Sequence, residues 1–532
     1  MIPRGSRWSL ILVLLALPAM ALAYGVRVHA LLPSRSLGAL PASTGVTVSQ
    51  EILPGITDRD VADFRGWLYD RAAHLADTSV RHAFLARYPS AASFDARALK
   101  EFTMMNGAAR VLGVDSFASV YRAMNSRDRA KDPNPDYSTG SPMALKTALQ
   151  MGSIYPDLDR RNQNRLLRGP TGAVERTAKG DTVPFDPMTL NMGKLTGLSS
   201  QGHAHGGLNR HAKSSDPEVL KTEPWNFAIA TGFPGPVETY GPDNAQLYSD
   251  LSLLAALGGQ APWRTLSAFY AGNAMHYLAD VGNAVHTVQV GIYPIFVDAT
   301  IQSYILKAVH LFGLLGTAPT RNQIGVDIIT NLHTLSEQLF EAELIDALNK
   351  QDAGNVAAVR ASMRKALDGL AHGDDSLARA IADTLSRMNA AKPGATDFGR
   401  AIAEEVIDAN VRDGAEVYRI TRDICDTRLR IGRMAVDFDT IPDEKVWRWV
   451  RVRPGALIHT KLDDFNEVHA RGIARTSAAL RAWWGQYLAA AATPAAQRSA
   501  TIDRVLTRLV HERLSYLSAA EARRSEWITQ HR

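Results

Sequence analysis

Apolar positions recur at intervals of three and four residues through most of the chain, which is the period of one helix face. The runs VADFRGWLYDRAAHLAD, MALKTALQM, TLSAFYAGNAMHYLAD, LHTLSEQLFEAELIDAL, FGRAIAEEVIDANVRDGAEVYRI and FNEVHARGIARTSAALRAWWGQYL all carry it. Valine-rich alternation of the kind that builds sheets is scarce. The pattern predicts an all-α protein with many helices. It breaks in SRDRAKDPNPDYSTGSP and between Gly169 and Asp216, where Gly, Pro, Ser and Asp accumulate and loops are expected. No unit repeats at a fixed period, which argues against a solenoid.

Composition narrows the class. The 532 residues are 46% hydrophobic and 21% charged, as in a folded globular protein. A formal net charge of +5 is mild and spread out, and suits an anionic substrate or surface. No segment has the Lys/Arg-rich form of a nucleic-acid motif, so no specific nucleic-acid partner is expected; no protein partner can be inferred. With Cys425 as the one cysteine, intramolecular disulfides and Cys-based metal sites are both excluded.

The first 23 residues change the expected compartment. Arg4 and Arg7 precede the short apolar run SLILVLLALPAM, and Ala21-Leu22-Ala23 has the small-residue form of a cleavage site. Residues 1–23 therefore read as a signal peptide, the run being short for a membrane span. An uncleaved anchor is the alternative. The expected destination is the periplasm, the medium or a membrane surface. Residues 24–425 hold all the candidate chemistry. Residues 426–532 read as a helical, Arg-rich C-terminal extension with Trp447, Trp449, Trp483 and Trp484, and without a functional motif.

The chemistry begins in HYLADVGNAVH. On a helix, His276 and Asp280 project from one face a turn apart. His286 follows Gly282 and Asn283, which can turn the chain, so the three groups can converge on a metal that takes N and O ligands, such as zinc. One such pair alone reads more readily as histidines capped or satisfied by the core. The company it keeps alters the balance. His333 and Glu337 form a second i, i+4 pair, Asp157 and Asp159 end a helix in LQMGSIYPDLD, and His203 and His205 sit in the glycine-rich SQGHAHGGL. Glycine allows the backbone to come close to a ligand. Cleavage after Ala23 would leave Tyr24 with an α-amine able to bind metal, and His29 five residues on.

These residues resemble a known family. FYAGNAMHYLADVGNAVH and LQMGSIYPDLD are similar to the zinc-dependent phospholipases C of bacteria, which share a fold with the S1/P1-type nucleases. The opening YGVRVH is closer to the nucleases. The resemblance covers roughly residues 24 to 425, with long insertions, and implies a multi-helix phospholipase C/P1 nuclease-like domain. It also implies about three zinc ions. His276, Asp157 and either His203 or His205 would hold one, and Asp280 would bridge it to another held by Tyr24 and His29. His286, His333 and Glu337 would hold the third. The sequence departs from the family in Tyr24, where Trp is usual, and in Ala284, where proline is usual.

The implied activity is hydrolysis of phospholipid phosphodiesters, releasing diacylglycerol and a phosphorylated head group at a membrane surface. Asp157 would be the general base near the attacking water. Two rival readings are a zinc nuclease or nucleotidase of the same fold and a non-catalytic helical scaffold. The apolar insertion GIYPIFVDATIQSYILKAVHLFGLLG, from Gly291 to Gly316, reads either as a buried helix or as a lid that touches lipid.

Overall fold

The computed structural model describes residues 26–38, 51–102, 140–158, 241–284, 339–425 and 456–530, together with 167, 173–180, 183, 185, 286 and 337. The described chain is predominantly α-helical, in agreement with its 3.6-residue period. The sheet among these residues is a two-residue antiparallel ribbon, β1 (Ile52–Leu53) with β2 (Met143–Ala144), in which Ile52 faces Ala144. Met143 and Ala144 belong to a run with helical spacing, yet they pair with β1, and the helix starts only at Leu145.

The first helices are α1 (Val26–Gly38), α2 (Asp58–Ala72), α3 (Thr78–Arg87), α4 (Ala91–Glu101) and α5 (Leu145–Leu158). There follow α6 (Gly241–Leu257), α7 (Trp263–Gly282), α8 (residues 339–352), α9 (Ala361–His372) and α10 (Asp375–Ala391). The last are α11 (Phe398–Cys425), α12 (Ala456–Ala491) and α13 (Ala495–Gln530). The starts of α2, α3, α4 and α10 follow capping chemistry. Thr57 and Asp60 form a reciprocal capping box on α2, and Asp374 accepts from the Ser376 and Leu377 amides at the head of α10.

The middle of the molecule is α7. Every residue in it except Arg264 is buried, because α1, α5, α6, α11 and α12 pack around it. A helix buried all round has no solvent face for its polar groups, so each must find a partner inside. Ser267 Oγ lies 2.7 Å from the Ser252 carbonyl and 2.6 Å from the Tyr487 hydroxyl. Asn273 donates to the Phe269 carbonyl.

Described residues on both sides of position 425 pack together. One continuous hydrophobic core includes Val28 of α1, Leu278 of α7, Trp483 of α12 and Leu506 of α13. The Trp483 indole N–H donates to Ser249 Oγ of α6 at 2.7 Å. Along α13, Asp503 pairs with Arg71, Arg508 with the buried Asp250, Glu512 with Arg400 and Glu521 with Arg87. Among the described residues, no helix is long and apolar enough to cross a membrane.

Candidate metal centre

The centre begins at the crossing of α5 and α7. A Cβ added at Gly152 would lie 2.0 Å from the Phe269 carbonyl oxygen, and one at Gly272 would lie 2.3 Å from that of Leu149. Only glycine allows two backbones this close. The close approach lets α5 deliver a backbone group directly to α7: the Ser153 carbonyl oxygen sits 2.7 Å from His276 Nδ1. A carbonyl only accepts, so Nδ1 carries the proton and donates, and Nε2 is the nitrogen turned towards Asp280. The Ser153 hydroxyl donates in the other direction, to the His29 carbonyl at 2.8 Å. One residue of α5 therefore contacts both histidine-bearing helices.

His276 and Asp280 share a face of α7, as their spacing predicts, with 3.2 Å between Nε2 and Oδ2. His29 arrives from α1, with its Nε2 3.4 Å from Asp280 Oδ1. The two imidazoles stack with centroids 4.2 Å apart. All three residues are fully buried, and their ligand atoms lie within 4.8 Å of one another. Neighbouring donors on a tetrahedral ion with bonds of about 2.0–2.1 Å are roughly 3.3–3.4 Å apart. Each His–Asp280 separation is close to that edge, but the two end on different carboxylate oxygens, so the set could hold a metal without defining a single tetrahedron. Asp280 also gives one oxygen to each histidine, which is how a carboxylate faces two cations.

A second polar group lies past the end of α7. His286 Nε2 is 3.0 Å from Glu337 Oε1, and both residues are buried. The chain reaches His286 through a tight turn in which the Asn283 amide bonds the Ala279 and Asp280 carbonyls and the His286 amide bonds the Asn283 carbonyl. The two groups are linked through α1 and α8. Arg27, two residues before His29, donates to Glu341 from its backbone amide at 3.1 Å and from Nε at 2.7 Å.

Of the residues expected from sequence, His29, His276 and Asp280 thus come together, as do His286 and Glu337. Asp157 lies in the last turn of α5, four residues beyond Ser153. The signal peptide expected at residues 1–23, Tyr24, Asp159, His203, His205, His333, Trp447, Trp449 and the insertion Gly291–Gly316 all lie outside the described residues. Sequence reasoning passed over Gly152, Ser153, Gly272 and Asn410. The glycines were detectable as helix-unfavourable residues inside helical runs; nothing in the sequence marked Asn410. No protein family, curated protein or solved structure matches the chain.

Proposed function

We propose that this protein is a zinc-dependent phosphodiester hydrolase of the phospholipase C type, acting on phospholipids at a membrane surface after export. The observation that carries the reading is the buried His29, His276 and Asp280 group, in which the two carboxylate oxygens are divided between two imidazoles. An all-α core that brings sequence-distant ligands together supports the resemblance to the phospholipase C/P1 nuclease fold.

His29, His276 and Asp280 would hold one part of a zinc cluster, and His286 with Glu337 another. Bound zinc would supply hydroxide from a coordinated water near neutral pH and neutralise charge on the phosphate oxygens. The protein's own contribution is to fix these donors before substrate arrives. Ser153 sets which nitrogen of His276 faces the centre. Asp280 supplies the negative charge that balances the cations. Asp157 is proposed as the base that takes the proton from the attacking water, with diacylglycerol leaving and the phosphate remaining on the head group.

The test is hydrolysis of phosphatidylcholine vesicles, phosphatidylglycerol vesicles and single-stranded DNA side by side, before and after chelation and with zinc restored. The expected result is diacylglycerol release that disappears with chelator and returns with zinc. A preference for DNA would replace the lipid reading with the nuclease one, and zinc binding with no hydrolysis would leave a scaffold.

A further inference from the structure

The end of α7 has four carbonyls with no partner inside the helix, as any helix does. Here each is accounted for. The Asn283 amide takes those of Ala279 and Asp280. The other two, Val281 and Gly282, both accept from the side-chain amide of Asn410 on α11, at 3.1 and 2.9 Å. Asn410 is fully buried. Its own oxygen accepts from Arg475 Nη1 of α12 at 2.6 Å, and the same guanidinium nitrogen reaches Asp413 Oδ2 at 2.6 Å. Asp413 also accepts from Arg471. The amide of Asn410 is thereby fixed in orientation, with its NH2 towards α7. On the other side, a Cβ at Gly282 would meet Thr476 Oγ1 at 1.9 Å, so α12 lies directly against the turn.

This turn separates the two candidate ligand groups. Asp280 stands just before the braced carbonyls and His286 four residues after Gly282. No proline stiffens Val281–His286, and Gly282 adds freedom. We propose that Asn410, oriented by Arg475, is a positioning residue that fixes the offset of His286 from Asp280, and so the spacing of the two metal-binding groups. The proposal rests on the metal reading above. It gives residues 456–491 a role that no motif in them announces: they are part of the apparatus that shapes the centre.

Cobalt(II) titration of the full-length chain tests this, with visible absorption reporting ligand geometry and the thermal midpoint of the metal-free protein reporting the fold. Asn410→Asp removes the donor to both carbonyls yet keeps the contact with Arg475. Arg475→Lys keeps a charge facing Asp413 but loses the planar guanidinium whose Nη1 meets both Asn410 and Asp413. The expected result is cobalt affinity about ten-fold weaker or more in Asn410→Asp, a smaller loss in Arg475→Lys, and an altered absorption spectrum in both. If Asn410→Asp does not fold, Arg475→Lys decides, since it keeps the Asn410 donor but removes the guanidinium contact that orients it towards α7. A folded variant with native affinity and native spectrum overturns the positioning role and leaves the metal reading standing. If the native chain itself takes up no cobalt, both fall.

Discussion

The His29, His276 and Asp280 group differs from the His286 and Glu337 group in what holds it. His276 and Asp280 sit within the body of α7, where the main-chain ladder already fixes their directions, and a neighbouring backbone on α5 adds the Ser153 bond. His286 lies past the helix end, and its approach is set by side chains from α11 and α12. A ligand inside a helix inherits its position from secondary structure; a ligand after a helix must be given one by tertiary contacts. The two groups should therefore fail for different reasons.

The largest effect is expected where the first group meets its scaffold. Gly272→Ala places a methyl 2.3 Å from the Leu149 carbonyl oxygen and 2.8 Å from Gly152 Cα, both of them backbone atoms that cannot swing aside. The helices must separate, at a cost of about 3 kcal/mol or more in folding stability, and the Ser153 carbonyl withdraws from His276. Urea unfolding measures it. A loss under about 1 kcal/mol would mean that the crossing is looser than described and that the first group does not depend on it.

Next come the ligands themselves. Asp280→Asn removes the charge that faces two histidines, whereas Glu337→Gln removes one that faces His286. Zinc affinity, measured by competition with a chromophoric chelator, should fall on the order of 100-fold or more in the first and roughly 10-fold in the second. Equal losses would indicate that Asp280 does not serve two cations, and a reversed order would move the main site to His286.

How much of this was legible in sequence follows the same division. Helical period marked α7, α11 and α12, and the i, i+4 spacing put His276 and Asp280 on one face. His29 joins them in the sequence only through the resemblance carried by YGVRVH; taken alone it reads as a surface residue. Asn410 was illegible: it is an ordinary polar residue in an amphipathic helix, and its importance comes from what lies across from it. The same holds for Ser153, whose contribution to His276 is a backbone carbonyl that every residue possesses. Residue 425 looked like a boundary because the motifs stop there. The core does not stop there, since apolar burial by Trp483 and Leu506 needs no motif.

The smallest expected effect lies behind the second group, where α8 packs near α12. Burial pushes the Glu343 carboxyl up to about 7, although Asn466 Nδ2 donates to it at 2.9 Å. Burial pushes the His469 imidazole, stacked on Phe340, down to about 3. Their effects on stability have opposite signs. His469 contributes stability that is present above its ordinary value near 6.5 and is lost as pH falls towards 3, because the unfolded chain takes up the proton first. Glu343 contributes stability that is present below its ordinary value near 4.5 and is lost as pH rises through 7, because the folded chain keeps a proton the unfolded chain has released. Between those two ordinary values the unfolded chain binds one proton more at His469 and one fewer at Glu343, so the slopes cancel and these two residues leave stability flat. Glu343→Gln removes one side of the balance. The variant should gain about 1 kcal/mol of stability relative to the native chain's trend on going from pH 5 to pH 6. Denaturant midpoints at the two pH values measure the difference. Parallel curves for variant and native chain would show that Glu343 does not titrate in this window and that the α8 and α12 contact is wetter than its burial indicates.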